Sequence, residues 1–251
     1  DVTLINSDDI NLSSGSGYVI VKSGYYKLCE DVAWYPGTTG STAITIAVSN
    51  VILDFDNHFL SQANKTTFPL GSFNGVTVNA GLSGISMVAN EGGISNISGC
   101  GILFLGAVDT LKLEGLTIKN CGSDGRRSDT SFNFDGGIEF NNLTIASNVL
   151  ISKLRVLNNK NVGIFSSQCI NYLIEDTIID GTIAGGTGPS VGTVTALFIG
   201  NNPASGSSVN NTESFNVKMI RTTISNTSNF VYSGTNPASS GGVRACRAQN
   251  I

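Results

Sequence analysis

The sequence predicts an all-β chain wound as a parallel β-helix, and three observations carry that expectation. Six short segments align on one another: Gly75-Val76-Thr77-Val78, Gly101-Ile102-Leu103-Phe104, Gly137-Ile138-Glu139-Phe140, Gly163-Ile164-Phe165-Ser166, Ala196-Leu197-Phe198-Ile199 and Gly242-Val243-Arg244-Ala245. A second, nine-residue segment follows several of them, and Asn recurs at its two ends. The openings are 26, 36, 26, 33 and 46 residues apart. A period in this range, with one small unit per repeat, marks a solenoid.

The opening segment is a strand in which every second residue is apolar. The second segment runs 110–118, 148–156, 171–179 and 216–224. Its apolar residues fall at offsets one, three, six and eight. That is alternation by two, a jog, and alternation again, as expected of two short strands meeting at a bend. The inward columns are then Leu111/Val149/Tyr172/Val217, Leu113/Ile151/Ile174/Met219, Leu116/Leu154/Thr177/Thr222 and Ile118/Val156/Ile179/Ile224. β-Branched residues suit such ladders because they pack well on a pleated surface.

Asn50, Asn148, Asn171, Asn216 and Asn250 start the second segment, while Asn120, Asn158, Gly181 and Asn226 end it. Asn and Gly tolerate left-handed backbone angles, which tight corners need. Stacked amides can also hydrogen-bond along the axis.

The pattern resembles the right-handed parallel β-helix repeat proteins of the pectin-lyase-like superfamily, of the kind found in environmental bacteria and in large DNA viruses of amoebae. The resemblance covers nearly all of residues 43–251. Within it, Ser49-Asn-Val-Ile-Leu-Asp-Phe-Asp-Asn-His-Phe-Leu60 is similar to the first full coil of such proteins, and Gly24-Tyr-Tyr-Lys-Leu-Cys-Glu-Asp31 to the strand that caps them. The expected organisation is an N-terminal cap over 1–42, a β-helix over 43–251, and long inserted loops. Because Ile251 falls in mid-coil, further coils are expected beyond it. The fold implied by the resemblance does not specify an activity.

Composition narrows the function classes. Only 13% of residues are charged and the net charge is −4. That balance argues against a nucleic-acid partner, which needs a basic face. No apolar run approaches the length of a membrane span, and no signal-peptide core follows Asp1, so a targeting segment is expected to be cleaved or absent. Five cysteines (Cys29, Cys100, Cys121, Cys169 and Cys246) show no CxxC spacing, and free buried thiols are expected. Cys100 and Cys121, about one coil apart, leave a bridge open. Six Asn-x-Ser/Thr triplets are no more than this composition yields by chance.

Three sets of residues are candidates for chemistry. Asp54 and Asp56, two apart on one strand face, have the spacing of a calcium or acid/base pair. A turn-forming role is preferred for both, and a packing role for the lone His58. The loop 122–136 carries Asp124, Arg126, Arg127, Asp129 and Asp135 and leads into Glu139. Asp124, Glu139 and Arg126 are therefore the catalytic candidates for an anionic-sugar site. Finally, if Ile102, Ile138, Ile164 and Leu197 point inward, Leu103, Phe165 and Phe198 point outward with Thr77, Glu139 and Arg244. An apolar column on an exposed sheet is a contact surface. Its cover is either the insertions Gly181–Thr195, Asn201–Phe215 and Thr227–Ser240, neighbouring subunits, or stacked sugar rings.

The Gly-His-Gly and Arg-Ile-Lys signatures of polygalacturonase-type hydrolases are missing. The expected function is thus a non-enzymatic structural or surface-recognition protein, extracellular or on a virion, fibre or cell surface. Its expected partners are other subunits and surface glycans, with no cofactor and calcium as the weak exception. A polysaccharide lyase or glycoside hydrolase with a non-standard site is the alternative.

Overall fold

The computed structural model describes residues 1–11, 17–37, 42–65, 73–122, 136–183, 195–200, 214–227, 241–246 and 248–249. For 141–144, 167–168, 195, 198–200, 214–215, 241–246 and 248–249 it describes the backbone alone. The chain opens with β1 (Val2–Ile5) and a short helix, α1 (Ser7–Asn11). Successive turns of a right-handed parallel β-helix follow. The first is β2 (Tyr18–Ile20), β3 (Gly24–Leu28) and β4 (Val32–Trp34). The second is β5 (Thr42–Ile46), β6 (Val51–Asp54) and β7 (Phe59–Gln62); the third is β8 (Asn74–Val78), β9 (Leu82–Val88) and β10 (Gly93–Ser95). The fourth is β11 (Ile102–Phe104), β12 (Val108–Glu114) and β13 (Thr117–Lys119).

In the next two turns the first corner is spanned by unbroken strands, β14 (Gly136–Ser152) and β16 (Val162–Glu175), which are followed by β15 (Arg155–Leu157) and β17 (Ile178–Asp180). The chain continues through β18 (Thr195–Gly200), β19 (Ser214–Ile220), β20 (Thr223–Ser225), β21 (Gly241–Cys246) and β22 (Ala248–Gln249). Equivalent strands stack in parallel, making three sheets along the axis.

The register follows the sequence repeat. Val76, Ile102, Ile138, Ile164, Leu197 and Val243 are consecutive partners on the first sheet. Leu111, Val149, Tyr172 and Val217 are consecutive on the second. The repeat also extends further back than 43. Tyr18 pairs with Ile44, Tyr25 with Ile52 and Val32 with Leu60, so a complete turn lies inside the segment assigned to the cap. What closes the open end is α1. Asn6 and Asp9 bond reciprocally, backbone N–H to side-chain oxygen, at 2.9 and 3.0 Å, and the fully buried Ile10 covers the core.

Inside, the columns merge into one apolar cluster running from Ile5 to Val217. Phe104 and Phe140 stack with centroids 4.2 Å apart, and Tyr172 meets Phe140 edge-on at 6.1 Å. The opening glycines Gly75, Gly101, Gly137 and Gly163 are there for want of room. A Cβ on Gly137 would lie 2.4 Å from the carbonyl oxygen of Gly163.

The corners are made by residues with left-handed backbones. Asn50, Gly84, Thr110, Asn148, Asn171 and Asn216 turn the first corner. Gly115, Lys153, Asp176 and Arg221 turn the second, and Asn64, Asn96, Asn120, Asn158, Gly181 and Asn226 the third. The jog inferred from the apolar pattern is this second corner.

Candidate functional site

The second corner changes length along the axis, and that change makes a groove. Between β6 and β7 it takes four residues, 55–58, and between β9 and β10 four again, Ala89–Gly92. From β12 onward it takes two: Gly115–Leu116, then Lys153–Leu154, Asp176–Thr177 and Arg221–Thr222. The short form needs only one left-handed residue followed by one buried residue. Gly115 fits against the shelf above because it lacks a Cβ, which would lie 2.1 Å from the carbonyl oxygen of Ala89. The four-residue corner therefore overhangs the two-residue one. Beneath the overhang lies an open groove of about 740 Å³, walled by Asn90 and Glu91 and floored by Gly115, Thr117, Lys119 and Arg155.

The floor is the outer face of the third sheet. Phe59, Gly93, Thr117, Arg155 and Ile178 are consecutive partners in one row, and Ser61, Ser95, Lys119, Leu157 and Asp180 in the next. Gly93 puts no side chain between Phe59 and Thr117. Lys119 reaches across this gap, and its ammonium sits 4.3 Å from the centroid of the Phe59 ring. Such a cation–π contact is worth about 0.5–1 kcal/mol and fixes the direction of the charge.

Three further charges, one acidic and two basic, meet at Glu114. Glu114 takes Lys112 at 2.5 Å and Lys153 at 3.3 Å. The Lys112 hydrogen bond, then that from Lys153, holds its carboxyl below the usual glutamate range. Arg155 and Glu91 are exposed. Neither side chain has a hydrogen-bond or ion-pair partner among the described residues. The groove thus presents one free guanidinium, one oriented ammonium and one free carboxylate, beside the Thr117 hydroxyl and the Asn90 amide, whose Nδ2 donates to Asn57 Oδ1 at 3.3 Å.

The residues singled out from sequence lie elsewhere. Asp54 accepts a hydrogen bond from the Tyr25 hydroxyl and, through Oδ1, one from the Asp56 backbone N–H at 2.7 Å. Asp56 has φ 50° and pairs with Lys27 at 3.1 Å. Asp54 thus braces the corner through its carboxylate, and Asp56 turns it through its backbone. His58 lies 3.6 Å from Asp31, whose Oδ1 also accepts the Phe59 backbone N–H.

Glu139 is 5% exposed and accepts a hydrogen bond from the Cys100 thiol at 3.1 Å. Phe165, expected to point outward from the strand beneath a cover, is 1% exposed. Its alternation with Ile164 does direct it away from the interior, since Ile164 belongs to the core cluster and Phe165 does not. Outward from the strand is nevertheless not outward to solvent, and an apolar ring gains by leaving water. Leu103 is half-buried. Phe198 is in register with Phe165, with its side chain outside the described residues. Asp124 and Arg126 also lie outside them.

Cys29, Cys100, Cys121 and Cys169 are free thiols, so Cys100 and Cys121 are not bridged. Among the described residues no three His, Cys, Asp or Glu side chains converge on a possible metal position, and no helix is long and apolar enough to cross a membrane.

Compared with known proteins, this chain matches no family model, no curated protein and no solved structure.

The groove residues Phe59, Glu91, Lys119 and Arg155 were not legible as a site. Their signal is the shortening of the second corner from four residues to two. It becomes visible only once Leu82–Val88 is recognised as the equivalent of Val108–Glu114.

Proposed function

We propose that this protein is a non-enzymatic surface-recognition β-helix of the pectin-lyase-like kind: a rigid rod on a virion, fibre or cell surface that contacts glycans and assembles with other subunits. The observation that carries the reading is the burial of Glu139. The outward row of the opening strands is where the sequence concentrates its candidates for chemistry. A carboxylate that is 5% exposed and bonded to a buried thiol is poorly placed to meet a polymeric substrate. Accessible polar groups lie instead on the flank, in the groove under the second corner. A surface position, extracellular or on a virion, accords with the low charge content and with the resemblance to viral and environmental β-helix repeats.

The test is a depolymerisation assay on a panel of acidic and neutral polysaccharides, with and without calcium. We expect no new reducing ends and no unsaturated products. Turnover that disappears in Glu139→Gln would overturn the reading in favour of a polysaccharide lyase or glycoside hydrolase.

A further inference from the structure

The geometry points to the groove beneath the Ala89–Gly92 corner as a binding site for a saccharide that carries an anionic substituent, with Arg155 as the group that holds the anion. The inference rests on the glycan-contacting reading above and names where the contact is made and with what chemistry.

Arg155 is exposed, its side chain is unpartnered among the described residues, and it stands at the centre of the floor. A guanidinium offers five donors in a planar fork matched to the oxygens of a carboxylate, sulfate or phosphate. Lys119 lies one strand and two residues away, roughly 8 Å between Cα atoms at ordinary strand spacing and rise. Its ammonium is already held against Phe59, so less side-chain freedom is lost on binding. Lys153, by contrast, is engaged with Glu114. The cationic half of the site is therefore Arg155 and Lys119.

The rest of the lining argues for a sugar over a plain polyanion. Glu91 is an exposed carboxylate on the overhanging wall, again without a partner. A carboxylate accepts hydrogen bonds from hydroxyl groups and repels phosphates or sulfates spaced along a chain. Asn90 and Thr117 each donate and accept. A ligand with one anion per several hydroxyls satisfies both signs at once, and a nucleic acid does not. The net charge of −4 points the same way.

The experiment is fluorescence polarisation on the full chain with three labelled probes. They are a hyaluronan octasaccharide carrying carboxylates, a dextran sulfate oligosaccharide and a neutral dextran oligosaccharide. Arg155→Leu is compared with Lys218→Leu, which removes the same charge from an exposed position on β19 outside the groove. Thermal melting checks that both variants fold. We expect the hyaluronan probe to bind more tightly than dextran sulfate, at least roughly tenfold more weakly in Arg155→Leu and unchanged in Lys218→Leu. The preferred acidic probe then tells carboxylate from sulfate.

Acidic probes that bind Arg155→Leu as well as the parent protein would overturn the groove while leaving glycan contact standing. Binding of the neutral probe alone would do the same. Binding of no probe would overturn the inference. Cleavage of a bound probe would overturn the non-catalytic reading and keep the site.

Discussion

Asn171 donates from Nδ2 to Oδ1 of Asn148 at 3.0 Å, and Asn216 repeats the same bond to Asn171 one turn further on. All three residues have left-handed backbones, with φ of 53–56°. Each side chain thus serves the corner twice, by tolerating the angle and by joining the ladder. Asn148 ends the run by donating to Asp109 at 2.7 Å.

Replacing Asn171 separates the two roles. Asn171→Ala loses both and should cost about 2 kcal/mol. Asn171→Gly keeps the backbone and loses only the ladder, costing less than about 1 kcal/mol. Urea unfolding of the two variants gives the ranking. A glycine variant no more stable than the alanine variant would show that the left-handed angle at position 171 contributes nothing to stability.

Gly93 has no such latitude. Its φ is 149°, and a Cβ there would lie 2.0 Å from the carbonyl oxygen of Thr117, a strand atom that cannot move aside. Gly93→Ala should destabilise by about 3 kcal/mol or more. An unchanged melting temperature would contradict the close packing of β10 against β13.

Acid should destabilise the molecule, with Glu114 contributing. Its carboxyl is held below the ordinary value of 4.5, first by Lys112 and then by Lys153. A lowered folded-state pKa means stability that is present above the ordinary value and lost as pH falls through the lower one. Asp109, lowered by Ser147 and Asn148, and Asp176, lowered by Arg221, act in the same direction. Between about pH 6 and pH 3 the melting temperature should therefore fall less in Glu114→Gln than in the parent. Parallel curves would remove Glu114 from the account.

Thiol reactivity should divide by position. Burial pushes the Cys121 thiol up to about 11, while Cys29 is exposed. Only thiolate reacts with an alkylating agent. Iodoacetamide on the native protein, read by peptide mass, should label Cys29 and leave Cys121 unmodified until the chain is unfolded. Equal rates at the two sites would mean the core opens around Cys121.

Along the chain, the sequence by itself determined the repeat. Period-two alternation and Asn or Gly at the corners are local requirements, so they are written into each coil. They led directly to the register of Ile102, Ile138 and Ile164 and to the inward ladders. Two stretches escaped this reading. The coil at Tyr18–Trp34 and the strand Leu82–Val88 carry weaker Asn punctuation, with Ser23 and Gly84 where later coils have Asn.

What only the tertiary structure decided is which outward residues meet water. Alternation directs Phe165 and Glu139 away from the core, but solvent exposure depends on what lies across that face, and both are buried. The groove depends likewise on neighbouring turns. Arg155 and Phe59 are 96 positions apart in the sequence and share a row only because every turn stacks in register. A site made by one corner overhanging the next belongs to the stacking of coils, and no single coil encodes it.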